Sequence, residues 1–398
     1  MPLSRRAQAI SPSPTLTIDA RAKEMAACGL DVINFGVGEP DFDTPEHIKE
    51  AAIEAIRRGA TKYTPVAGTL ALRKAVADKL LRDNGLAYEP SQIVVSVGAK
   101  HSLYNAIQVL CQEGDEVILP SPYWVSYLEQ VKLAGATARF VFTGVENGFK
   151  MSPDDLKKAI TPRAKLLILN SPSNPTGAVY SREEMAALAE VVLDHPDLYV
   201  ISDEIYEKLI YDGNAHVSFA ALSPEIKART VVINGVSKAY AMTGWRIGYT
   251  ASSIELAEAI TGLQSHSTSN PSSIAQAAAV AALEGPEEPI RRMVSEFDRR
   301  RTYMLKRLEE LPGIRCPRPG GAFYLFPSVA GLLGRSYRGK EIRTASDLAV
   351  LLLEEARIAV VPGIAFGDDT CLRFSYATAF ERIVDGMNRF EELVRGLD

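Results

Sequence analysis

Lys238 and Arg246 stand eight residues apart, directly after the run Thr230-Val231-Val232-Ile233. That run is apolar and β-branched throughout, as a strand buried on both faces of a parallel sheet requires. An ammonium brought to its end would cost several kcal/mol to bury unpaired, so such a lysine is neutralised, paired or used covalently. Read alone, the stretch fits a surface lysine after a strand equally well. Other apolar runs also end in reactive residues. Gln92 to Val97 leads into Gly98-Ala99-Lys100; a strand, a glycine turn and a helix start make an anion seat from free N–H groups and the positive end of the helix dipole. Asp115 to Leu119 ends in Pro120-Ser121-Pro122-Tyr123-Trp124, two aromatics able to stack on a planar ring. Lys165 to Leu169 reaches Asn170 and then Asn174, while Tyr199 to Ser202 reaches Asp203 and Tyr206. Arg373, in Leu372-Arg373-Phe374-Ser375-Tyr376, carries a planar guanidinium that can grip a carboxylate through two parallel bonds, although taken alone it reads as a surface arginine.

The elements that must position these groups are five strands, separated where the chain is long enough by helical segments such as Arg182 to Val192. That alternation predicts an α/β fold with a doubly wound, mainly parallel sheet, whose ligands bind beyond the carboxyl ends of the strands. Thr44-Pro45-Glu46 reads as a helix start with Thr44 as capping residue, and Leu70 to Leu81 as a second amphipathic helix. Residues 1–44 read as an irregular arm with one short helix near 19–27, and residues 45–288 as the large domain. Residues 289–398 read as a smaller α/β domain that the arm completes. A charged run from Ile290 to Leu311 predicts a long helix joining the two, its charges on a solvated face.

The chain of 398 residues, 46% hydrophobic, is long enough to bury a large core. A net charge of −5 without a dense Lys/Arg block argues against nucleic acid or an anionic membrane as partner. The four cysteines are far apart and form no C-x-x-C pair, so the sequence indicates neither a zinc site nor a disulfide framework and fits a reducing compartment, the cytoplasm. Arg5 and Arg6 are followed by Ser11-Pro12-Ser13-Pro14 where a signal peptide needs an apolar core, and the run Ile274 to Leu283 is too short to span a bilayer.

Ser237-Lys238-Ala239 followed by Met242-Thr243-Gly244-Trp245-Arg246-Ile247-Gly248-Tyr249 resembles the cofactor-lysine motif of class I aminotransferases, which are fold-type I pyridoxal-phosphate enzymes. The resemblance runs from Ser4-Arg5-Arg6 to Tyr376 and is closest to the bacterial aspartate and prephenate aminotransferases. It implies that Lys238 binds pyridoxal phosphate as a Schiff base and then moves the α-proton. It also implies that Asp203 faces the ring nitrogen, that Asn174 and Tyr206 bond the ring hydroxylate, and that Trp124 stacks on the ring. Arg246 and the Gly98-Ala99 backbone take the phosphate, with Lys100 beside them. On the substrate side the resemblance assigns the α-carboxylate to Arg373, near Gly38, Trp124 and Asn174, and the distal carboxylate to Lys100 with Thr15 and Ser13. Tyr63 matches a tyrosine that reaches the phosphate of a neighbouring subunit, which implies a homodimer with shared sites. Gly235 departs from the pattern, since many members carry a phosphate-binding serine there; Ser237 is the available substitute. The activity implied is transamination between aspartate or glutamate and 2-oxo acids such as 2-oxoglutarate and oxaloacetate, with prephenate as a further acceptor. The alternatives are an aminotransferase for aromatic or neutral amino acids and a pyridoxal-phosphate lyase of the same fold.

Overall fold

Seven strands form one sheet in the order Ile93–Ser96, Gly248–Ala251, Thr230–Gly235, Tyr199–Asp203, Ala164–Asn170, Glu116–Ser121, Thr137–Phe142. The computed structural model describes residues 3–12 and 14–398. Six strands run parallel, and Gly248–Ala251 is antiparallel to both of its neighbours. Alternate residues feed two different cores, which is why the strands read as continuous apolar runs. Leu166 and Ile168 pack with Leu103, Ile107 and Ile260 on one face, while Leu167 and Leu169 pack with Leu156, Met185 and Leu188 on the other.

Two of these strands were not predicted. Thr137–Phe142 lies at the edge, where only Val141 is buried, so it lacks an apolar run. Gly248–Ala251 is only four residues long and begins on a glycine, which masks its fully buried pattern. The helix predicted near 19–27 starts earlier, as Pro14–Ala27, and the one at 70–81 continues to Asn84, where Gly85 closes it in the left-handed conformation.

A separate apolar core joins Ile33 and Phe35 of the N-terminal segment to Phe297, Met304, Leu348, Phe374 and Phe390 of the C-terminal part. Two small sheets build it: Ile33–Asn34 runs parallel to Ile358–Ala359, and Leu372–Ser375 lies between Val361–Pro362 and Tyr324–Leu325, antiparallel to both. The long helix is Glu288–Glu309. Its charges are not all solvated, as the sequence suggested. Arg300 and Arg301 are buried because each has carboxylate partners: Arg300 bonds Asp41 and Glu296 at 2.8 Å, and Arg301 forks onto Asp212 at 2.7 and 2.8 Å and bonds Asp298. Arg300 thereby fastens the segment that carries Gly36 and Gly38.

Candidate active site

The strand ends converge on a cavity of about 480 Å³ lined by Lys238, Asp203, Tyr206, Asn174, Trp124, Ala99, Lys100, Ser237, Arg246, Arg373, Gly38 and Thr15, among others. Twelve residues assigned from the sequence thus meet in one place. Gly98 lies immediately behind. Its φ of +83° suits glycine, and a Cβ there would sit 2.3 Å from Nη2 of Arg246, so the guanidinium occupies the space glycine leaves. The helix Ala99–Leu110 starts at Gly98 without a side-chain cap, leaving its first turn turned to the cavity beside Arg246. Tyr63 is 93% exposed and lies outside the cavity of its own chain. Ser13 lies outside the described residues.

Lys238 is half-buried, and its ammonium donates to the carbonyl of Gly38. Burial pushes its pKa down to about 8; Glu39 opposes the shift, and the cations Arg373, Arg246 and Lys100 add to it. Asp203 is buried at the end of its strand, and burial pushes its carboxyl up to about 6. Two donors restrain that rise: the Tyr127 hydroxyl reaches Oδ2 at 2.7 Å and the Ile205 N–H reaches Oδ1 at 3.3 Å. Arg373 is buried, donating through Nη1 to Asn174 Oδ1 at 3.0 Å and through Nη2 to the Gly36 carbonyl at 2.7 Å, over the ring of Tyr324. Its Nε is buried with no partner among the described residues. Lys100 holds its ammonium 4.9 Å from the Trp124 ring centre.

Three further residues hold the site, and the sequence assigns a role to none of them. Asn170 donates to the Asp203 carbonyl and accepts from the Asn174 N–H, locking two strand ends together. Tyr324 bonds the Tyr206 hydroxyl at 3.0 Å. Tyr127 holds Asp203. Only its position three residues after Trp124, one helical turn on, could have suggested that it faces the same site. Thr44 does not cap the helix Glu46–Arg57, where Pro45 takes the cap position. Its hydroxyl donates to the Ala241 carbonyl and accepts from Trp245 Nε1, which braces the loop after Lys238.

The family model "Aminotransferase class I and II" matches residues 30–384. The chain belongs to the class I and II aminotransferases. Among its relatives are the aspartate aminotransferase of Geobacillus stearothermophilus, 53% identical over 98% of this chain and 99% of that one, and the aspartate/prephenate aminotransferase of Cereibacter sphaeroides, 49% identical over 98% and 97%. The solved aspartate aminotransferase of Rhizobium meliloti superposes with a TM-score of 0.97 at 45% identity, covering all of both chains. The sheet and helices of this aminotransferase are therefore the fold-type I architecture that the lysine motif implied.

The donor set of this aminotransferase fits pyridoxal phosphate, the cofactor its family implies. A glycine turn filled by a guanidinium at a helix start suits a phosphate dianion. A buried carboxylate suits a ring N–H, and a lysine with depressed pKa suits an aldehyde. Gly235 also finds an explanation. It pairs with Gly248 across antiparallel strands, and a Cβ would meet the Ile247 carbonyl at 2.8 Å and the Gly248 Cα at 2.9 Å. A serine at 235 would not fit this backbone spacing. Ser237 is buried at the cavity wall.

Proposed function

We propose that this aminotransferase moves the amino group between aspartate or glutamate and 2-oxo acids such as oxaloacetate and 2-oxoglutarate, with prephenate as a further acceptor. The observation that carries the reading is a pair of cations at separate points of one cavity: Arg373, with its unpartnered Nε, and Lys100 over Trp124. A dicarboxylic amino acid has two carboxylates to satisfy them. The names of the relatives point the same way.

Pyridoxal phosphate, when bound, supplies the electron sink that makes the Cα proton of an amino acid acidic. In this reading Lys238 holds it, Asp203 faces its ring nitrogen, and Asn174 and Tyr206 bond its ring oxygen. Trp124 covers the ring, while Arg246, Ser237 and the Gly98-Ala99 turn take the phosphate. Arg373 fixes the α-carboxylate bidentately and so orients the Cα–H bond. The Lys238 amine, set free when the substrate's amino group takes its place, would then accept that proton and return it one carbon away, its depressed pKa suiting it to both transfers. Lys100, a mobile point charge, accepts distal carboxylates of different reach, with Thr15 and Ser13 assisting.

The reading includes a homodimer in which Tyr63 serves the partner's phosphate. It keeps the division at residues 45 and 288, supported by a core that the arm shares with the C-terminal part and that Ile205, Tyr206, Leu209 and Tyr211 of the large domain enter from one side. Four unbridged cysteines suit a reducing compartment such as the cytoplasm.

Lys100→Ala tests the substrate assignment. We expect kcat/KM for aspartate to fall ~10- to 100-fold, about 1.4 to 2.7 kcal/mol, with the slow reaction of alanine nearly unchanged. Equal losses for both would put Lys100 on the cofactor and remove the main support for a dicarboxylic substrate. Release of ammonia from one amino acid without an acceptor would identify a lyase instead.

A further inference from the structure

The short helix Val125–Leu133 sends three side chains, at steps of three residues, to three parts of the site. Trp124, at its cap, lines the cavity; Tyr127 reaches Asp203; and Gln130 donates to the Lys100 carbonyl at 3.0 Å. Tyr127 is fully buried, its ring set edge-on to Trp124 at 5.4 Å and 84°. Its hydroxyl lies 2.7 Å from Asp203 Oδ2, within the range of a strong bond to an anion. Burial, then the charge of Asp203, holds the Tyr127 phenol well above its ordinary value, so it stays protonated and acts only as a donor. Asp203 needs such a donor. Burial and the adjacent Glu204 both favour its neutral form, and the Ile205 N–H at 3.3 Å is the only other direct hydrogen bond to the carboxylate among the described residues.

We propose that Tyr127 is the positioning residue that keeps Asp203 ionised, occupying Oδ2 and leaving the charge of the carboxylate for a protonated ring nitrogen. This inference rests on the reading that Asp203 faces that nitrogen. Tyr127 lines the same cavity, and the role assigned to its hydroxyl is exerted through the carboxylate.

The test compares equilibrium affinities of the cofactor-free full chain for pyridoxal phosphate and for its 1-deaza analogue, in which carbon replaces the ring nitrogen. The wild type should prefer the natural cofactor. Tyr127→Phe keeps the buried ring and should lose about 10- to 100-fold in affinity for pyridoxal phosphate, the worth of a hydrogen bond to a charged group, while holding the analogue as before. Equal loss for both ligands would reduce Tyr127 to packing, and no loss for either would show that Asp203 keeps its charge unaided; both overturn the proposal. Asp203→Asn separates the two levels. If it still prefers the natural cofactor, the ring-nitrogen assignment fails and the proposal with it; if it loses the preference while Tyr127→Phe keeps it, only the role of Tyr127 fails.

Discussion

The Lys238 ammonium donates to the carbonyl of Gly38, a residue 200 positions earlier in the chain. A single carbonyl is weak compensation for a half-buried cation, which is consistent with a pKa pushed down to about 8 by desolvation, Glu39 opposing and the nearby cations adding to the shift. An amine attacks an aldehyde only when unprotonated. At pH 7 roughly a tenth of such a lysine is free base, against a few parts in ten thousand for an ordinary one. Covalent capture of pyridoxal phosphate by the cofactor-free protein should therefore quicken about tenfold per pH unit up to about pH 8 and then level off. Stopped-flow absorbance reads the rate, and borohydride reduction with peptide mapping should place the label on Lys238. A rate still climbing at pH 10, or a label on another lysine, contradicts the assignment.

Asp203 makes a second pH dependence, of opposite use. Its folded pKa, pushed up to about 6 by burial, lies above the unfolded value near 3.9, so the folded state keeps its proton longer as pH rises. Stability is lost between about pH 4 and pH 6 and is level above, by roughly 3 kcal/mol for this group. Cofactor-free Asp203→Asn lacks that loss. Urea unfolding should show the variant more stable than the wild type by up to about 3 kcal/mol at pH 7 and no different at pH 4, while its transamination rate falls at least ~100-fold. A wild type that is the more stable at pH 7 would mean that the carboxylate is better solvated than its burial implies.

Tyr63 is the assigned residue that its own chain leaves 93% exposed and away from the cavity. If it serves a partner's phosphate, a Tyr63→Phe chain and a Lys238→Ala chain should complement on mixing. The heterodimer then holds one site with both lysine and tyrosine intact, and activity should rise above that of either variant alone. A mixture that exchanges subunits, seen by native mass spectrometry, yet gains nothing would confine Tyr63 to a surface role.

What could be read from the sequence was whatever chemistry is local. Asp203, Asn174 and Lys238 each follow an apolar run, and a polar residue after a buried strand is visible without a partner. Asn170 is visible as a strand-end residue, but its role, like those of Tyr127 and Tyr324, lies in contacts across the chain: 76 residues from Tyr127 to Asp203, 33 from Asn170 to Asp203, 118 from Tyr206 to Tyr324. The buried Arg300 and Arg301 failed for the same reason, since their distant partners Asp41 and Asp212 decide whether an arginine can leave water. The edge strand Thr137–Phe142 shows the converse. Its pairing with Glu116–Ser121 supplies what its own residues do not announce.

The antiparallel strand Gly248–Ala251 returns the chain beside Thr230–Gly235, so Lys238 and Arg246 belong to one excursion whose two ends are pinned at the Gly235–Gly248 pair. The amine and the guanidinium hang on a single tether of fixed length, anchored where two glycines bring backbones closer than any side chain would permit. Arg373 belongs to another sheet, whose Leu372 and Phe374 pack in another core. Whatever shifts that sheet changes the span over which a substrate is stretched between its carboxylate grip and the reacting amine, and leaves the distance from amine to phosphate grip untouched.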